Sequence, residues 1–296
     1  MRSFRRVRHA ALLGAVLTLG LTGCSLADGG SAPVGSAPVG ADTAAPAASA
    51  APAKAVVHAA SPATGSVKGG TKVVLTGSGL GAVRSATVAG TTVPASGTAD
   101  RVTFTTPSAV AFTPATETVA LQSASGSAVG TTSFTYRTVD GVDRQLAYVL
   151  KYWKHYNPAY ETLPDDDCVD FTSQSLLQRG WKQQGDWVHA ADILDAGPAW
   201  RSSTAFMNFM EEHPELGTAL TDQQRSQVKV GDVVQFDWDR SGDRDHTGVV
   251  TRVVKQSDGH IEIDFAGHTN DSDYRSVDTA ITKDHPGGVA YYWSLK

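Results

Sequence analysis

The chain has 296 residues and a formal net charge of −5, with 30 acidic residues against 25 Lys and Arg. That length accommodates two domains of ordinary size, and an acidic balance argues against a nucleic acid or an anionic membrane surface as partner. The 2 cysteines, Cys24 and Cys168, leave room for one intramolecular disulfide at most.

The first stretch, "MRSFRRVRHAALLGAVLTLGLTGC", has Arg2, Arg5, Arg6 and Arg8 ahead of an apolar run from Ala10 to Leu21. The run is too short to cross a hydrocarbon core of about 30 Å as a helix. It ends in Leu21-Thr22-Gly23-Cys24, which resembles a bacterial lipoprotein lipobox. The resemblance implies a signal peptide over 1–23, cleavage before Cys24, and a lipid on that thiol. The protein would then sit outside the cytoplasm, anchored to the outer face of the cytoplasmic membrane. Arg5-Arg6 leaves both general and twin-arginine export open. Cleavage removes four Arg and no acid and takes the charge from −5 to −9. Cys168 is then without an intramolecular partner, either a reactive thiol or an intermolecular link.

Residues 24–55 hold a direct repeat, Ser31 to Gly35 and Ser36 to Gly40, in an Ala/Pro/Gly/Ser background. Such a composition cannot bury a core and predicts a disordered tether. Residues 56–137 read as all-β. "TKVVLTGSGL", "VTFTTP", "TVALQS" and "TSFTY" are short, rich in Val, Thr and Phe, and separated by glycine turns. The spacing suggests a small sandwich. Pro62, Gly65, Gly70-Thr71, Gly77 and Gly79 resemble an IPT/TIG domain, an immunoglobulin-like module. The resemblance implies a spacer, or a surface for protein or glycan contact.

Composition shifts near Val139, where Trp, Tyr, His and Asp become common. In residues 138–296, "DRQLAYVLKYWKHY" places Leu146, Val149, Leu150 and Trp153 on one helical face. "TAFMNFMEEH" is a second helix. Strands follow at "DVVQFDWD", "HTGVVTRVVK", "IEIDFAG" and "GVAYYWSL". Helices followed by strands predict an α+β fold, so the chain as a whole reads as multidomain, a β module followed by an α+β domain.

The stretch "DDDCVDFTSQSLLQRG" carries the chemistry. Asp165 to Asp167 are favourable N-caps and Arg179-Gly180 a helix stop, so Cys168 falls in the first turn of a helix. Free N–H groups and the positive dipole end there favour a thiolate. Aspartates that cap the helix would direct their charge at those N–H groups, away from the sulfur. His246 follows the polar turn "RSGDRD" at a strand start, where it can pair with the thiol and later protonate a leaving amine. A third group should orient that ring. His268 and Asn270, at the end of the next strand, are the candidates.

These residues resemble a bacterial amidase domain of the NlpC-like, papain-like group of cysteine hydrolases. The matching positions are Asn157, Pro158, Tyr160, Asp167, Cys168, Phe171, Ser173 and Gln174, then "GDVVQFDWD…DHTGVV" and "AGHTND". Asp170 departs from the family's usual Asn. The resemblance implies Cys168 as nucleophile, His246 as general base and His268 as orienting residue. Tyr160, Asp167 and Asn270 would serve substrate or oxyanion, and wall peptides of peptidoglycan would be the substrate. The main alternative is a catalytically weak or inactive domain that grips wall peptides; a cysteine acyltransferase is a second, which the run "DCVDFTSQ" does not suggest. No HExxH, CxxC, phosphate loop or dinucleotide fingerprint occurs, so neither metal nor cofactor is expected.

Overall fold

The computed structural model describes residues 54–296. The expected signal peptide, the lipidation at Cys24 and nearly all of the tether lie outside the described residues. Among those described, no helix is long and apolar enough to cross a membrane.

The N-terminal part is made of eight strands: β1 (Val56–Ser61), β2 (Thr64–Ser66), β3 (Lys72–Ser78), β4 (Ser85–Val88), β5 (Thr91–Gly97), β6 (Arg101–Thr105), β7 (Thr116–Gln122) and β8 (Ala128–Arg137). Their order is β1-β3-β6-β5-β4-β7-β8-β2, antiparallel except that β2 runs parallel to β8. Alternation drives Val73, Leu75, Val102, Phe104, Val119, Leu121 and Phe134 into one core.

Four helices follow: α1 (Gly141–Tyr152), α2 (Cys168–Arg179), α3 (Pro198–Arg201) and α4 (Ser203–Glu212). They precede a six-stranded antiparallel sheet of β9 (Gly217–Thr221), β10 (Val233–Asp237), β11 (His246–Lys255), β12 (Ile261–Gly267), β13 (Ser272–Ser276) and β14 (Val289–Leu295). Its order is β13-β12-β11-β10-β14-β9. The C-terminal part is therefore mixed, with helices before strands as the sequence pattern implied. α2 packs on α1 and across β11. At the end of α2, Gly180 takes φ 110° and its N–H bonds to the carbonyls of Leu176 and Leu177. A residue with a Cβ is disfavoured in that left-handed conformation.

The β module is joined to α1 without a break in the core. Leu146, Val149 and Leu150 belong to the same apolar cluster as the β-module residues, each burial worth about 1.5–3 kcal/mol. Asp143, fully buried in the first turn of α1, accepts from Ser66 Oγ at 2.6 Å and from Val139 N at 2.8 Å. Removing this carboxylate leaves the buried Ser66 hydroxyl without its acceptor and the part-buried Val139 N–H without its partner. Asp143→Ala is therefore expected to cost about 2–3 kcal/mol, which lowers Tm by roughly 5–10 °C in calorimetry. A β module that melts separately from the helices would contradict the shared core.

Candidate active site

α2 begins at Cys168, with Asp167 at its N-cap. Asp167 does not cap the helix with its side chain, contrary to the sequence expectation. One of its oxygens accepts from Leu163 N at 2.9 Å, and the other lies 2.5 Å from Nδ1 of His268. The aspartate charge is thus directed at a histidine. His268 is buried, stacked between Tyr156 and Phe171 with centroids 3.7 Å away on each side. Its Nε2 lies 2.9 Å from the carbonyl of Tyr152. Both ring nitrogens are occupied, and the ring clamps the end of α1 to the start of α2.

Cys168 is 1% exposed. Its Sγ lies 3.6 Å from Ser203 Oγ, at the first residue of α4. Ser203 Oγ accepts from Thr247 Oγ1 at 2.9 Å, and Gln235 Nε2 donates to the Ser203 carbonyl at 2.8 Å and to Thr247 Oγ1 at 3.1 Å. Burial pushes the thiol up to about 11, and hydrogen bonds from Ser203 and the Thr247 N–H only partly oppose it. The expected lowering at a helix start does not occur. Dipole stabilisation is worth about 0.3–1 kcal/mol at an exposed site, and loss of hydration outweighs it.

The expected Cys168–His246 contact is not formed. Thr247 faces the helices through Ser203, so its neighbour His246 faces the other side of the sheet. The His246 ring packs there near Phe236, Trp238 and Phe265, with centroids 5.9, 6.1 and 6.0 Å away. Its Nε2 is buried with no hydrogen-bond partner. Burial, then the charges of Arg275 and His285, lowers it to about 3, so the ring is neutral at any physiological pH. The last pair of the β11–β12 ladder is Val249 with Ala266, and counting on from it in register brings Thr247, not His246, level with His268. A one-residue offset decides which histidine shares the face of Cys168.

The remaining candidates are divided. Tyr160 is half-buried, edge-on to His189 at 5.0 Å, and is raised by burial and then by the charge of Asp170. Asn270 lies outside this cluster, in an open groove of about 730 Å³ with Asp271, Arg275 and His285. Tyr156 forms part of the groove wall, its hydroxyl donating to Asp271 at 2.7 Å. Sequence reasoning missed Ser203, Thr247 and Gln235, which nothing in their local sequence marks as neighbours of a thiol. It also missed that Asp170 accepts hydrogen bonds from Trp200 Nε1 and, at 2.5 Å, from Gln174 Nε2. Burial, then the charge of Asp167, raises Asp170 to about 7.

The fold and this cluster define a β module followed by a domain with a buried cysteine at the start of a helix. Residues 141–291 match a family model described as "Putative amidase domain", and residues 55–136 match the IPT/TIG domain. The first match spans just over half of the 296 residues, and the chain belongs to that amidase family. Comparison with curated proteins gives no match. Among solved structures, an auxiliary nutrient binding protein from Bacteroides ovatus is similar at 18% identity and TM-score 0.23, over 28% of this chain and 21% of that one. A Bacteroides ovatus mixed-linkage glucan utilization protein, solved with a mixed-linkage heptasaccharide, is similar at 13% identity and TM-score 0.21, over 79% of this chain and 50% of that one. The chain thus spans from about a fifth to half of the length of these structures, and TM-scores this low define no common fold.

Proposed function

We propose that the C-terminal domain hydrolyses amide bonds with Cys168 as nucleophile, and that the described arrangement is its resting form. The observation that carries this reading is the pairing at the start of α2. The residue before Cys168 holds a histidine through Nδ1, the orientation a general base needs. To act, His268 would release the Tyr152 carbonyl and present Nε2 to the thiol. The thiol proton would pass to that nitrogen as sulfur attacks the carbonyl carbon. The proton would leave on the departing amine, and water would then cleave the thioester, regenerating the thiol and releasing the acid. His246 has no part in this scheme. Wall peptides of peptidoglycan are the proposed substrate, on the strength of the expected anchored location outside the cytoplasm.

A second reading is a domain that grips wall peptides without cleaving them. The buried, protonated thiol favours it, as does the departure at Asp170 from the family's usual Asn. The test incubates the full chain and its Cys168→Ala variant with purified peptidoglycan and reads the soluble products by mass spectrometry. Loss of the nucleophile is expected to reduce fragment release by about 10³-fold or more. Equal release by both proteins would remove Cys168 from the mechanism. No release by either, with both pelleting with the wall, would favour binding.

A further inference from the structure

The turn joining β10 to β11 reads Asp237-Trp-Asp239-Arg-Ser241-Gly-Asp243-Arg-Asp245. Oxygen-bearing side chains occupy every second position. One carboxylate oxygen from each of the four aspartates lies within 4.8 Å of those from the others. Acidic turns are common on surfaces, and convergence alone would mean little. Here Asp237 is 2% exposed. Its Oδ2 accepts from Gly242 N at 3.0 Å, while its Oδ1 is buried with no partner at all. A buried carboxylate oxygen without a donor is costly, and it belongs to one of the four converging aspartates.

The turn's own arginines do not neutralise it. Arg240 donates to the Gly287 carbonyl at 2.7 Å, and the Arg244 guanidinium lies over the Tyr291 ring at 3.7 Å. Among the described residues, no ion pair within 4.0 Å involves any of the four acids. The chain doubles back through Arg240 and Gly242, at φ 64° and 95°.

We propose that this turn binds a calcium ion, through the carboxylates of Asp237, Asp239, Asp243 and Asp245 with the Ser241 hydroxyl. The donors are all oxygen, which selects a hard cation. Calcium–oxygen distances of about 2.3–2.6 Å put opposite ligands about 4.6–5.2 Å apart, and magnesium's would be about 4.2 Å apart. Separations of up to 4.8 Å accommodate the larger ion, and the magnesium arm of the test below decides between the two. Oxygen ligands at positions 1, 3, 5 and 9 with glycine at 6 also follow the spacing of known calcium loops. Here the flanks are strands. The ion would brace the turn that leads into β11, which Arg244 N ties to Thr204 Oγ1 at 2.9 Å, next to Ser203.

The test uses the full chain with terbium as a calcium probe, excited through Trp238, whose backbone N–H donates to Asp245 at 2.6 Å. Saturable emission that calcium displaces is expected. Tm should rise by about 5 °C or more when calcium is near 100 Kd, relative to EDTA. The exposed pair Asp239→Asn with Asp243→Asn should weaken binding at least tenfold, and the Tm rise should vanish. Absence of emission together with an unchanged Tm at about 10 mM calcium, ten times the weakest extracellular loop Kd, would overturn the proposal. So would emission and a Tm rise that persist in the double variant. An equal rise with magnesium would overturn the choice of calcium.

Discussion

Iodoacetamide is expected to alkylate Cys168 in the folded protein about 300-fold more slowly at pH 7.5 than it alkylates a free cysteine. The free thiol ionises near 8.5, whereas Cys168 is pushed up to about 11, and only the thiolate reacts. A rise from 9.0 to about 11 corresponds to about 2.7 kcal/mol, more than a helix start supplies even in favourable geometry, about 2 kcal/mol. Unfolding in urea should restore the free rate. Adding peptidoglycan separates the two functional readings. A resting hydrolase must free its thiol and present a base when substrate enters, so alkylation should accelerate. A gripping domain leaves the rate unchanged. A midpoint below pH 8.5 in the protein alone would show that burial does not control this thiol.

Cys168 was readable as a helix-start residue because both boundaries of α2 are local. Asp167 and Gly180 mark them, and the helix spans Cys168–Arg179. The partner histidine was not readable. Which face a strand residue takes depends on register across two hairpins, and a slip of one residue reverses it. "DHTGVV" looks the same whether His246 or Thr247 faces the helix. Edge strands were missed for a different reason. β9 (GTALT) and β13 (SDYRS) carry few large apolar groups and are held by ladder bonds to β14 and β12. The β4–β5 hairpin is mostly Ala, Thr and Ser, with Val88 and Val93 its only large apolar residues, and gives little alternation signal. The alternating aspartates were visible as a polar turn. A search for histidine and cysteine ligands could not see them as a site, because a hard cation takes neither.

The pH dependence of stability should reveal the opposed titrations of Asp170 and His246. Asp170 is fully buried and raised from 3.8 to about 7. A raised carboxyl stabilises the fold below about pH 4, and that contribution is lost as pH climbs to 7. His246 is lowered from 6.5 to about 3. Its neutral ring stabilises the fold above pH 6.5, and that contribution is lost as pH falls toward 3. Between about pH 4 and 6.5 the folded protein keeps a proton on Asp170, while the unfolded chain keeps one on His246. The two slopes cancel. Asp170→Asn removes one side of this balance. The variant is expected to be more stable than wild type by about 2–4 kcal/mol at pH 7, with the gain fading to nothing near pH 4. Below pH 6.5 its own stability should fall by about 1.4 kcal/mol per pH unit, the unmasked contribution of His246, while that of wild type stays level. Adding His246→Gln should flatten the curve again. Urea titrations at half-unit steps from pH 4 to 7.5 measure all three proteins. Parallel curves for wild type and Asp170→Asn would mean that Asp170 is ionised throughout, with Trp200 and Gln174 offsetting its burial. The carboxylate would then stand as a permanent charge beside the proposed Asp167–His268 pair, which would favour the non-hydrolytic reading.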